Sequence, residues 1–313
     1  MKINSKIVDI DILVIYGLSV CIVVFVSITH IIGLDKKAIK KVTSNPQVMS
    51  SELSYATSSF DDVRITGKSY VVYDVINKKV IAGKNENEVL PLASITKVMT
   101  AVSAILHKDR NTKITISQKN IEDGYDLGLK NKQEWKLSEL LKYTLVFSSN
   151  DGALAIADSF GSKDFFITQM NDDAKVLGLQ LVFTDPAGRD INGKIGGIGT
   201  ALETAKLFSI ARKLIPEILD ATTKKRETVI TYSGLLGGIP NTNQTIETLS
   251  GAEASKTGYT DRAGGNLGVI VDISVGHPIV IVVLGSTRQG RFQDIDVLYK
   301  ALRASVVTSR VEK

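Results

Sequence analysis

An uninterrupted run of 23 residues without a formal charge, Ile12 to Leu34, constrains this chain more than any other feature. At a helical rise of about 1.5 Å per residue it extends roughly 34 Å, enough to cross the hydrocarbon core of a bilayer with some tilt. A core helix of a globular domain would carry polar positions at a helical period, and none recur here. A cleaved signal peptide would have a shorter apolar stretch and a small-x-small pattern before Asp35, which is absent. Cys21 is followed by further apolar residues, which argues against a lipid-attachment site. The segment therefore reads as an uncleaved transmembrane helix after a short tail, residues 1–11. Flanking charge leaves its orientation open. Lys36, Lys37, Lys40 and Lys41 would hold the C-terminal side in the cytoplasm, but the rule weakens for long translocated domains.

From Asp35 to Gly67 the chain is polar and serine-rich, which reads as a tether over residues 35–67. Residues 68–313 then form one domain. Of 38 basic and 33 acidic residues, six lysines and three aspartates fall in the first 41 positions, so the domain is close to neutral and carries no nucleic-acid footprint. One cysteine and three dispersed histidines (His30, His107, His277) exclude a disulfide framework, a zinc site and thiol or imidazole chemistry built on clustered residues. No metal and no cofactor is expected, and oligomeric state is left open. A hairpin opens the domain, Ser69–Val75 turning at Asn77-Lys78 into Lys79–Ala82. Helical patterns follow over Ser94–Lys108, Leu137–Phe147, Asp151–Phe160 and Ala201–Leu214. Strands are predicted over Ala252–Thr260, Gly265–Ile273 and Ile279–Gly285, and a last helix over Gln293–Ala304. Strands at both ends with helices between them predict an α+β domain, one antiparallel sheet flanked by helices.

Three short motifs carry chemistry. Ser94-Ile-Thr-Lys97 opens a helix, where residues three apart share a face and an amine can reach a hydroxyl. A serine needs a base to become a nucleophile, and a desolvated lysine can supply one. Alone the motif is weak: about one such spacing is expected by chance in a chain of this composition, and a capped amphipathic helix is the better explanation of it in isolation. Ser148-Ser149-Asn150 sits between two helices, where a hydroxyl can relay a proton and an amide can orient its neighbours. Lys256-Thr257-Gly258-Tyr259 lies on a strand, where Lys256 and Thr257 can bind a carboxylate, or where Lys256 simply protects a sheet edge.

In this order the three motifs resemble the signatures of penicillin-interacting serine enzymes. The chain resembles most closely the D-alanyl-D-alanine carboxypeptidases, the low-molecular-mass penicillin-binding proteins. The likeness runs from about Ser69 to Ala304 through Pro91–Thr100, Ser148–Ala153, Met170-Asn171, Leu177-Gly178-Leu179, Asn241-Thr-Asn243 and Lys256–Gly264. It implies a β-lactamase/transpeptidase-like fold and an acyl-enzyme route on peptidoglycan stem peptides, with β-lactams as covalent inhibitors. In the roles it implies, Ser94 is the acylated nucleophile, Lys97 its base, Ser148 a proton relay toward the leaving amine and Asn150 a holder of lysine and substrate. Lys256 and Thr257 recognise the terminal carboxylate, Gly258 lets substrate lie along the strand, and the amides of Ser94 and Tyr259 form the oxyanion hole. Arg291 is similar to a carboxylate-binding arginine of the family; a surface arginine at a helix start is the alternative. Ser149 departs from the glycine or alanine more usual there.

Within the same chemistry, a D,D-endopeptidase cutting peptidoglycan cross-links is the nearest alternative, and Ser255 before Lys256 is reminiscent of it. A class A β-lactamase would need a deacylating Glu-x-x-x-Asn; Glu217 has no asparagine at that spacing. A tethered sensor would be expected to lose a reactive group, and none is lost. Such a substrate lies outside the cytoplasmic membrane, so the domain is expected to be extracytoplasmic.

Overall fold

The computed structural model describes residues 53–126 and 128–307. The apolar segment 12–34 and most of the tether lie outside them; among the described residues no helix is long and apolar enough to cross a membrane.

Five strands form the main sheet: β1 (Ser69–Asp74), β2 (Lys79–Lys84), β3 (Ala252–Thr260), β4 (Gly264–Asp272) and β5 (Pro278–Ser286). Their order is β3-β4-β5-β1-β2 and every pairing is antiparallel. The near-continuous apolar runs of β4 and β5 mean burial on both faces. Alternate residues serve two cores. Val280, Val282 and Leu284 enter the larger one, with Ile95, Val98 and Phe208. Ile279, Ile281 and Val283 enter the smaller one, with Ile295 and Leu298.

Helices enclose both faces. Those of seven residues or more are α1 (Thr96–His107), α2 (Gln118–Gly124), α3 (Leu137–Val146), α4 (Asn150–Asp158), α5 (Lys163–Val176), α6 (Ala201–Leu214) and α7 (Gly290–Ser305), and a short helix, Pro216–Asp220, follows α6. In α1 every residue from Thr96 to Ala104 is buried, so it runs through the larger core rather than along a surface. Each fully buried Val or Met there contributes about 1.5–3 kcal/mol of transfer free energy.

Three differences from the sequence reading have physical causes. The single sheet is joined by smaller ones. Arg226–Thr231 and Gly234–Pro240 pair as a hairpin and continue through Glu134–Lys136 to Lys113–Thr115; Leu90–Pro91, Gly197–Gly199 and Val182–Phe183 make a third sheet. Two- and three-residue strands are too short to show a period of two. Helices α2 and α5 were not anticipated, because both are predominantly polar; α5 buries only Phe166, Met170, Asp173 and Ala174. The folded unit also begins at Leu53 rather than at residue 68. Ser54–Tyr55 pairs with Val306–Val307, Phe60 is buried, and Thr66 and Gly67 each donate a backbone N–H to Asp294 at 2.9 Å. Tyr55 donates to Asp74 at 2.9 Å beside His277. A polar composition hid this stretch because its anchors are single residues.

Candidate active site

Ser94 lies in a single 3-10 turn, Ala93–Ile95, that feeds directly into α1. Ala93 has φ +50°, a left-handed conformation for a buried non-glycine residue, which tight surroundings must hold. One such surrounding is β3. A Cβ added at Gly258 would lie 2.7 Å from the Leu92 carbonyl oxygen, so only glycine lets the strand come this close to the nucleophile turn. The sequence reading placed Gly258 against substrate; its own neighbour in the fold already requires the glycine. Asn266 of β4 adds a tie, its Nδ2 donating to the Pro91 carbonyl at 2.9 Å.

Lys97 follows one turn into α1. It is completely buried, and its Nζ lies 2.8 Å from each of Ser94 Oγ, Asn150 Oδ1 and the Ala187 carbonyl oxygen. Burial pulls its ammonium down to about 7, against the opposing pull of Asp185 and Asp126. A neutral amine at this position can accept the Ser94 proton. Once charged, its three N–H bonds face three oxygen acceptors, so the site is arranged for the protonated product as well as the free base.

Ser148 connects α3 and α4 at φ +66°, again left-handed. Its Oγ accepts from Lys256 Nζ at 2.7 Å. Ser149 caps α4, its Oγ accepting from Gly152 N at 2.9 Å, which gives this departure from the family pattern a structural use. Asn150 opens α4; its Nδ2 donates to Gly124 O at 3.2 Å and its backbone N–H donates to Asp126. Asp151 beside it is held above the usual carboxylate range by burial and by Asp126.

Lys256 on the edge strand β3 is also buried, and desolvation, Lys97 and Arg291 together hold its ammonium well below the ordinary value. Thr257 Oγ1 donates to Thr242 Oγ1 at 2.6 Å. Arg291 is not a surface arginine. It is 8% exposed, donates through Nη1 to Gly258 O at 2.7 Å, and burial lowers it to about 10. A cleft of about 410 Å³ joins Ser94, Ser148, Thr257, Gly258, Tyr259 and Arg291. All nine residues singled out from the sequence thus meet in one place, with Lys97, Asn150 and Lys256 behind the cleft wall. The cleft also takes in Thr242, Gln244 and Arg288, whose guanidinium stacks 4.2 Å from the Tyr259 ring. Among its described lining residues none is a carboxylate, and Glu217 pairs with Arg110 at 2.7 Å instead.

A sequence profile described as D-alanyl-D-alanine carboxypeptidase matches residues 54–288. The chain belongs to the D-alanyl-D-alanine carboxypeptidase family. It is therefore a serine-type hydrolase of the peptidase class. The chain is 30% identical over 247 residues to a D-alanyl-D-alanine endopeptidase of Escherichia coli, covering 76% of this chain and 77% of the relative. It is 30% identical over 234 residues to the D-alanyl-D-alanine carboxypeptidase DacF of Bacillus subtilis, covering 67% and 57%. Among solved structures, penicillin-binding protein D2 of Listeria monocytogenes in its ampicillin-bound form is similar, with a TM-score of 0.66 and 27% identity over 77% of this chain and 99% of that one. The penicillin-binding, transpeptidase-like α+β fold expected from the motifs is the fold of this domain.

Proposed function

We propose that Ser94 is the nucleophile of a D-alanyl-D-alanine carboxypeptidase reaction on peptidoglycan stem peptides, and that β-lactams acylate the same serine. The observation that carries this reading is the fully buried Lys97 amine 2.8 Å from Ser94 Oγ, drawn to about 7. Lys97 takes the hydroxyl proton as Oγ attacks the carbonyl carbon. Ser148, bonded to Lys256, passes a proton to the departing amine. Thr257 and the Arg291 guanidinium recognise the terminal carboxylate from the cleft, backed by Lys256 behind its wall, and the amides of Ser94 and Tyr259 stabilise the oxyanion. Water then attacks the acyl-enzyme and releases the shortened peptide.

The endopeptidase reading keeps the same chemistry with a cross-linked strand as the leaving amine, and the Escherichia coli relative of that name favours it. Product analysis decides between them: a peptide ending in D-Ala-D-Ala is incubated beside a cross-linked dimer. Free D-alanine from the first is expected; cleavage of the dimer alone assigns the endopeptidase.

We further propose that residues 12–34 anchor the chain in the cytoplasmic membrane with the catalytic domain outside, where its substrate lies. Protease added to spheroplasts should digest the domain without detergent. Protection until the membrane is broken would contradict this placement.

A further inference from the structure

Behind Lys97 stands a loop that the reaction outlined above does not use. Asp185-Pro-Ala-Gly-Arg189 turns back on itself: Asp185 Oδ1 accepts the backbone N–H of Ala187 at 2.9 Å and of Arg189 at 3.1 Å. Arg189 closes the loop with a two-pronged pair, Nη2 to Oδ2 at 2.7 Å and Nε to Oδ1 at 3.2 Å. Asp185 is 2% exposed, so this pair sits almost out of water. The loop is clamped from the other side as well, Thr100 donating to the Pro186 carbonyl at 2.6 Å. Its apex is the Ala187 carbonyl, which accepts from Lys97 Nζ. Gly188 has φ +76°, and an added Cβ would lie 2.0 Å from the Ala93 oxygen, so the loop is pressed directly against the nucleophile turn.

We propose that Asp185 and Arg189 are positioning residues for the general base: their ion pair fixes the Ala187 carbonyl against Lys97 and sets, by its balance of charge, the pH above which Lys97 is free to act. The inference rests on the assignment of Lys97 as base. Two opposite charges bear on one amine. The Asp185 carboxylate favours the ammonium, and the Arg189 guanidinium opposes it. The other charged groups facing Lys97 are Asp126 beside Asn150, backed by Asp151, and Lys256 on β3. None of these belongs to the loop, but Asp151, itself raised to about 7, also feels the Arg189 guanidinium, so Arg189→Gln moves that carboxyl further up as well, which Arg189→Lys does not. A buried charge deprived of its partner is poorly tolerated, and each half of the pair is therefore expected to act on the next charge available, which is Lys97.

The signs follow directly. Removing the carboxylate in Asp185→Asn keeps an acceptor oxygen for the two amides but lowers the basicity of Lys97. The acidic limb of the pH profile for acylation by a penicillin then moves down, by roughly half to one pH unit. Removing the guanidinium in Arg189→Gln leaves Asp185 to the Lys97 ammonium, and the limb moves up. Arg189→Lys keeps the charge and stays near the wild-type position. The double variant Asp185→Asn/Arg189→Gln has no lone buried charge and should fold even where a single variant does not. Its limb moves down by less than in Asp185→Asn, because Asp185 is the larger of the two influences. Opposite shifts in the singles, or a downward shift in the double alone if a single fails to fold, support the proposal. Rates that fall with an unmoved limb in folded variants, shifts of the same sign in both singles, or a double variant with the wild-type limb would overturn it. A wild-type acylation rate in Lys97→Ala would instead remove the base assignment, and this inference with it.

Discussion

At the residue scale the decisive contrast is between two lysines. Lys97 and Lys256 are both buried and both carry depressed ammonium groups, but only Lys97 touches the Ser94 hydroxyl, whereas Lys256 touches Ser148. Lys97→Ala should lower penicillin acylation by roughly 10²–10⁴-fold, the usual range for loss of a general base, measured by stopped-flow with a fluorescent β-lactam. In the wild type the same rate should fall off below about pH 7, where Lys97 becomes protonated. Stability carries a matching signature. The folded pKa of Lys97 lies below its unfolded value, so between about 7 and the ordinary lysine value of 10.5 the unfolded chain binds more protons and stability rises with pH. Denaturant titrations at pH 7 and 9 should therefore show wild type gaining on Lys97→Met by up to about 1.4 kcal/mol per pH unit. A difference independent of pH would mean that Lys97 is not held neutral by the fold.

At the scale of elements, the site is a meeting of four chain segments, each shaped by one local rule. The nucleophile turn leans on β3 at Gly258, and α4 begins at the Ser149 cap. Ser149→Ala should cost about 1 kcal/mol in chemical denaturation while leaving acylation within a few-fold of wild type. A large loss of acylation would give that side chain a catalytic role. Gly258→Ala should do the reverse in proportion, displacing the turn and lowering acylation more than its stability cost of about 1–3 kcal/mol implies. These rules also mark what was legible beforehand. The helices that follow Ser94, Asn150 and Arg291 and the strand bearing Lys256 were readable because their apolar patterns are long. The partners of Lys97 were not. Ala187 contributes a backbone carbonyl, which no side-chain motif announces, and Asp126, Asp185 and Arg189 come from loops whose approach to α1 depends on tertiary packing. The hairpin Arg226–Pro240 was missed for a simpler reason: its apolar residues fall in adjacent pairs, Val229-Ile230 and Leu235-Leu236, rather than in alternation, and three glycines and a proline interrupt its second strand.

At the scale of the whole molecule, the folded unit runs from Leu53 and includes the stretch that composition assigns to a tether. Phe60, the Asp294 contacts of Thr66 and Gly67, and the Tyr55–Asp74–His277 cluster hold this stretch to α7 and the main sheet. A chain beginning at residue 53 should therefore bind penicillin and melt cooperatively, whereas one beginning at residue 68 should lose several kcal/mol, since Asp294 and Asp74 would each stay buried without partners they now have. Equal melting temperatures for the two would place the boundary back at residue 68. One covalent bond, from a β-lactam carbonyl to Ser94 Oγ, is the central prediction for the whole molecule. Intact protein treated with a fluorescent penicillin, digested and mapped by mass spectrometry, should carry one adduct on Ser94, absent from Ser94→Ala; an adduct on another residue, or equal labelling of Ser94→Ala, would contradict it.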